Sequence, residues 1–142
     1  MDTKFSIELI PHGSPIITYG LDQAVGKTLE LTVPVKLEFD VDVAQGTHKF
    51  FLEFRNKTNH TPEMAIEIQQ VSFEDIATDR MKWAGLYYPD YPEPWASQQT
   101  APLESVIKSS TFLGWNGRWE LEFSVPIFTW IHKLENLGWI YE

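Results

Sequence analysis

The 142-residue sequence predicts an all-β protein: an antiparallel β-sandwich, jelly-roll-like, with a short C-terminal helix. Three observations predict it. Apolar and polar residues alternate with a period of two through much of the chain, the pattern of strands with one buried face and one wet face. Pro, Gly and Asn interrupt that alternation about every 8 to 12 residues, which divides it into about eight strands. Helical periodicity is convincing only near the C-terminus. No internal repeat, low-complexity run or linker appears, so residues 1–142 are expected to form one domain, of a size that buries roughly 70% of the surface its unfolded chain exposes.

The first strands are short: FSIELI (5–10), PIITYG (15–20) and KTLELTV (27–33), each bounded by Pro or Gly. Next, Leu37, Phe39, Val41 and Val43 point one way while Lys36, Glu38, Asp40 and Asp42 point the other. After the turn Ala44-Gln45-Gly46, the segment THKFFLEFR repeats the pattern with His48, Phe50, Leu52 and Phe54 on one face, and the two strands are expected to pair as a hairpin. Residues 64–68 continue the alternation, and Val71 and Phe73 resume it one residue out of phase, which predicts a β-bulge at Gln69-Gln70. Asn116-Gly117, between SVIKSSTFLGW and RWELEFSVPI, is the strongest short hairpin signal. In the second arm Trp119, Leu121, Phe123 and Val125 face inward. The helix starts near Pro126, whose fixed φ and missing N–H suit a first helical position, and ends before Gly138, with Phe128, Ile131, Leu134 and Leu137 on one side.

Composition narrows the function. A formal net charge of -9 gives no long-range attraction to nucleic acid or to an anionic membrane surface, and the eleven Lys and Arg are scattered. An acidic surface suits neutral sugars or cations such as calcium. Cysteine is absent, which excludes disulfides, thiolate metal sites and thiol nucleophiles together. No apolar run approaches membrane-spanning length, and no signal-peptide pattern opens the chain, so cytoplasmic synthesis or association with a virus particle is the expectation. Asn56-Lys57-Thr58 and Asn59-His60-Thr61 match the glycosylation pattern and are read here as turns.

Catalytic patterns are weak. His12, His48, His60 and His132 never fall at metal-ligand spacing, and His48, inside a strand, reads as a packed or hydrogen-bonded structural residue. There is no GxSxG elbow and no phosphate-binding glycine loop. Glu120 and Glu122 share one strand face about 7 Å apart by strand rise, a separation that glycoside hydrolysis could use. Any acidic outward face shows the same spacing, and the chain is read as a non-enzyme.

The segment from residue 79 to about 104 is too long for a neutral connector. Within it, WAGLYYPDYPEPWA gathers Trp83, Tyr87, Tyr88, Tyr91 and Trp95 among prolines that oppose helix and inner strand. A pyranose ring offers an apolar C–H face to such rings, and its hydroxyls need polar partners at the rim, which Asp90 and Glu93 can supply. These seven residues are the candidate ligand-binding set. Trp83 and Trp95 can instead close one end of the sandwich as core, with at least one tyrosine between them exposed. A second polar loop, RNKTNHTPEM, supplies Asn56, Asn59 and Glu63 as candidate oxygen ligands for calcium.

The run VDVAQGTHKFFLEFRNKTNHTPEMAIEIQQVSFEDI, residues 41–76, resembles part of the calcium-dependent carbohydrate-binding β-sandwich modules of the xylan-binding kind. There a GTH turn leads into a strand, an Asn-containing loop and a return strand. The resemblance implies a jelly roll without catalytic activity, whose loop calcium contacts sugar hydroxyls, with Asn56 and Glu63 as ligand candidates. The family's aspartate-rich loop is replaced here by Lys57, Thr58, His60 and Thr61. The aromatic loop fits a second class as well, since Tyr and Trp are enriched at protein interfaces. A structural or assembly module, for example of a virus particle, is therefore the alternative. Either partner, carbohydrate or protein, would need the 56–63 and 79–104 loops at one end of the sandwich to form a joint site.

Overall fold

The structure is a computed structural model that describes residues 2–22, 26–42, 44–58, 60–61, 63–91, 96–101 and 103–135. Among the described residues eleven strands form two antiparallel sheets. The first sheet contains β1 (Asp2–His12), β4 (Val35–Asp42), β6 (Ala65–Phe73) and β10 (Phe112–Leu113), in the order β10-β6-β1-β4, with β7 (Ile76–Ala77) beside β6. The second contains β2 (Ile16–Leu21), β3 (Lys27–Glu30), β5 (Gly46–Phe54), β8 (Leu86–Pro89), β9 (Ile107–Lys108) and β11 (Gly117–Val125), in the order β3-β2-β5-β11-β8-β9. The expected antiparallel β-sandwich is present, and the chain passes repeatedly from one sheet to the other.

That crossing corrects both expected hairpins. β4 pairs with β1 while β5 pairs with β2 and β11, so the alternation on either side of Ala44-Gln45-Gly46 belongs to different sheets. Likewise β10 pairs with β6 and β11 with β5 and β8, so Asn116-Gly117 carries the chain between sheets instead of closing a hairpin. Gly117 answers a steric demand: a Cβ there would lie 2.4 Å from the Tyr88 carbonyl oxygen and 2.9 Å from Pro89 Cα. Gly85 answers another, with the Trp119 ring 2.2 Å from where its Cβ would be.

The bulge is where the phase slip puts it. Glu8 pairs with Gln70 and Leu9 with Ile68, leaving Gln69 as the extra residue, and Ile66, Ile68, Val71 and Phe73 all reach the core. Between the sheets Phe5, Phe50, Phe73 and Phe123 form a chain of rings 4.8 to 5.0 Å apart at their centroids. Trp119, Leu121, Phe123 and Val125 face inward as the alternation of β11 requires. Each such large apolar side chain contributes about 1.5–3 kcal/mol when fully removed from water.

Two α-helices flank the sheets among the described residues. α1 (Asp79–Trp83) begins at Thr78, whose side chain accepts the Met81 N–H and so satisfies one end-group donor of the helix. α2 (Ile127–Leu134) begins one residue later than expected, with Pro126 extended as its cap. It docks through Ile127, Ile131 and Trp130, whose ring meets Phe73 at 5.4 Å. Phe128, placed by periodicity with Ile131, is instead exposed, while Leu137 and Gly138 lie outside the described residues. No helix among the described residues is long and apolar enough to cross a membrane.

The 79–104 segment is more regular than its prolines suggest. It opens with α1, continues as β8 paired with both β11 and β9, and forms a 3-10 turn at Ala96–Gln98. Pro89 is tolerated because it ends the strand, where the ladder stops.

Candidate functional site

Four segments meet at one end of the sandwich. The chain leaves β5 through Arg55 to Thr58, enters β6 after Glu63 and Met64, leaves β8 at Asp90 and Tyr91, and crosses from β10 to β11 at Gly114 to Asn116. Asn116 joins them. Its Oδ1 accepts the Lys57 N–H and its Nδ2 donates to the Lys57 carbonyl, both at 2.9 Å, so that the side chain imitates a strand neighbour. Its own carbonyl accepts the Asp90 N–H at 2.6 Å. Arg55 and Asp90 add an exposed ion pair at 3.2 Å. Residues 55–58 and 63–64 around the polar loop and Asp90 and Tyr91 of the aromatic segment therefore share one end.

Trp115 stands at the centre of this end. The fully buried Tyr87 fixes its backbone: the phenol donates to the Trp115 carbonyl and accepts the Trp115 N–H at 3.0 Å. Burial pushes the Tyr87 phenol far above its ordinary value, which keeps it a neutral donor. The Tyr91 ring meets the indole edge-on at 5.8 Å, and the Tyr91 hydroxyl donates to the Glu104 carbonyl. Lys57 Nζ lies 5.3 Å from the indole centroid and donates to the Gly114 carbonyl. Burial lowers the Lys57 pKa, with the Glu63 charge opposing that shift. Beside these groups runs a groove of about 420 Å³ lined by Lys57, Glu63, Met64, Phe112 and Trp115. Its walls are apolar, with an ammonium and a carboxylate at the rim.

The candidate residues divide. Tyr91 and Asp90 belong to this end, and Glu63 lines the groove. Tyr87 is 1% exposed, which corrects its reading as a stacking surface: strand alternation turns it into the core and gives it a supporting role beneath Trp115. Tyr88, the next residue, therefore lies on the outer face of the second sheet opposite Arg118. Trp83 is 48% exposed at the far end of β8 from Tyr91, so it is neither a core anchor nor part of this groove; Met81 is the residue α1 buries. Trp95, Glu93 and Asn59 lie outside the described residues.

Trp115, Phe112 and Lys57 were not in the sequence-derived set. In the sequence Trp115 ends the strand-like run SVIKSSTFLGW, and a ring in a strand reads as core. The sequence Gly114-Trp115-Asn116-Gly117 did contain a signal, since turn-forming residues on both sides present a ring at a tip.

The residues described do not fit calcium. Calcium takes six to eight oxygen ligands. Asn56 has both side-chain atoms engaged, Oδ1 accepting the Ile16 N–H at 2.8 Å and Nδ2 donating to the Ser14 carbonyl at 3.2 Å. Glu63 faces the Lys57 charge, and among the described residues no group of three His, Asp or Glu could hold a metal. His48 is held by a hydrogen bond at each ring nitrogen, to Asp22 at 2.9 Å and to the Ala44 carbonyl at 2.7 Å. Glu120 is clamped by Arg118 Nε at 2.7 Å, with Lys49 at 3.6 Å.

No protein-family model matches the sequence, and no curated protein sequence matches it. The fold is similar to that of the carbohydrate-binding module vCBM60 solved in complex with galactobiose, with a TM-score of 0.54 and 11% identity over 83% of this chain and 96% of that one. A second vCBM60 structure, from work linking two families of calcium-dependent carbohydrate-binding modules by circular permutation, gives the same TM-score with 9% identity over 84% of this chain and 89% of that one. The likeness of fold extends beyond residues 41–76 over most of the chain, whose two antiparallel sheets form a β-sandwich similar to that of vCBM60.

Proposed function

We propose that the protein is a non-catalytic carbohydrate-binding module whose ligand lies in the groove beside Trp115. The observation that carries this reading is a groove between the polar loop and the chain entering β11, with Phe112, Met64 and Trp115 as apolar walls, Lys57 and Glu63 as polar rim, and Tyr87 of the aromatic segment holding the Trp115 backbone from beneath. The similarity in fold to a module solved with galactobiose supports it. The C–H face of a pyranose would pack against the walls while its hydroxyls exchange hydrogen bonds with the rim. A glycan array of neutral and acidic oligosaccharides, followed by calorimetry on the retained ligand, tests the proposal. Trp115→Ala should lose at least about tenfold in affinity, equivalent to about 1.4 kcal/mol, while Tyr88→Ala on the outer sheet face should not change it. Retention of no glycan would end this reading.

A protein-interaction module is the second reading, favoured by Phe112, which is 54% exposed on the two-residue strand β10. A stable oligomer that Phe112→Ser dissociates, with no glycan bound, would favour that reading.

A further inference from the structure

Resting on the carbohydrate reading, we infer that the Lys57 ammonium is the fixed positive charge that receives a ligand oxygen in this groove, and that binding there needs no calcium. The loop to which the sequence resemblance would assign calcium is built for another purpose. Among its described residues the amide oxygen donor, Asn56, is turned away to bridge Ser14 and Ile16, tying the loop to the start of β2. Its carboxylate, Glu63, is the one acidic group among the described residues that line the groove. Asp90, the acidic residue brought in by the neighbouring loop, is held by Arg55. Among the described residues a dication would find few of its six to eight oxygens, and it would also face an ammonium.

Lys57 is positioned as a surface lysine seldom is. Both of its backbone hydrogen-bonding groups are clamped by the Asn116 side chain, so the residue cannot drift with its loop. Its side chain crosses the Trp115 ring, and among the described residues its Nζ has one hydrogen-bond acceptor, the Gly114 carbonyl. An ammonium carries three donors, which leaves two for ligand oxygens. The aromatic wall and partial burial raise the strength of such bonds above that of a fully hydrated lysine. The ligand class that fits is a saccharide presenting a hydroxyl pair or a carboxylate to Lys57 and a C–H face to Phe112 and Trp115.

Two experiments on the full chain test this. Calcium chloride titrated calorimetrically into chelator-dialysed protein should give no saturable heat and no change in Tm. The array-selected oligosaccharide should bind with equal affinity in calcium and in EDTA, Lys57→Met should weaken it at least tenfold, and Lys57→Arg should retain most of it. Saturable calcium binding, or ligand binding lost in EDTA and restored by calcium, would overturn the inference while leaving the carbohydrate reading standing. Unchanged affinity in Lys57→Met would overturn Lys57's role. No glycan retained in either buffer would overturn both the carbohydrate reading and that role.

Discussion

Replacing Asn116 by Asp tests how this end is held together. The native amide is matched on both sides, accepting from the Lys57 N–H and donating to the Lys57 carbonyl at 2.9 Å. A carboxylate of the same shape keeps the first bond and sets two acceptors against each other in place of the second. Losing one partly buried hydrogen bond costs about 1 kcal/mol, and leaving the carbonyl opposed costs about 1–2 kcal/mol more. The sum, about 2–3 kcal/mol, corresponds to a fall in Tm of roughly 6–12 °C for a domain of this size. The sign with pH is part of the prediction. The introduced carboxyl has a folded-state pKa raised by the opposing carbonyl, and its protonated form can donate to that carbonyl. The deficit should therefore be largest at pH 7 and shrink toward pH 4. Thermal unfolding of wild type, Asn116→Asp and Asn116→Ala across that range measures it. A Tm for Asn116→Asp equal to wild type at pH 7, or a deficit that does not shrink on acidification, would refute the role of Asn116 as a two-sided clamp.

Other outcomes follow from the same packing. Gly117→Ala forces a Cβ into the Tyr88 and Pro89 backbone, and should cost about 3 kcal/mol in urea unfolding; wild-type stability would show that β8 and β11 do not meet so closely. Tyr87→Phe removes the hydroxyl that grips the Trp115 backbone, and should cost about 1–3 kcal/mol and weaken ligand binding together. His48 has a pKa raised above its ordinary 6.5, first by the hydrogen bond to the Ala44 carbonyl and then by that to Asp22. Its contribution to stability is thus fully present below about pH 6.5 and is lost as pH rises through the higher folded value. Wild type should lose more Tm than His48→Gln between pH 6 and pH 8, and parallel pH profiles would contradict this.

Much of the fold is legible in the residues because burial has a local signature. Val71 and Phe73 fall one residue out of phase with Ile66 and Ile68, and only an extra residue at Gln69 lets all four reach the core. Strand pairing has no such signature. Leu37 and Phe50 each announce an inward face, but nothing in either strand says whether its neighbour lies in the same sheet, and here the turn between them crosses the sandwich. The site was half legible for the same reason. The aromatic segment is legible, but alternation along β8 turns Tyr87 inward beneath Trp115 and Tyr88 to another surface, while Tyr91, past the end of β8, meets the Trp115 ring. The residues that wall the groove, Trp115 and Phe112, lie outside that segment, on β10 and the chain that leaves it for β11.

The most direct test of the central claim is an amide and indole NMR titration with the oligosaccharide selected by the array. The Trp115 indole N–H and the backbone amides of Lys57, Gly114 and Asn116 should shift together and saturate with the calorimetric affinity, while the buried Trp119 indole and the Tyr88 and Arg118 amides stay in place. Shifts centred on Tyr88 and Arg118, or no saturable shift at Trp115, would contradict the assignment of the groove as the binding site.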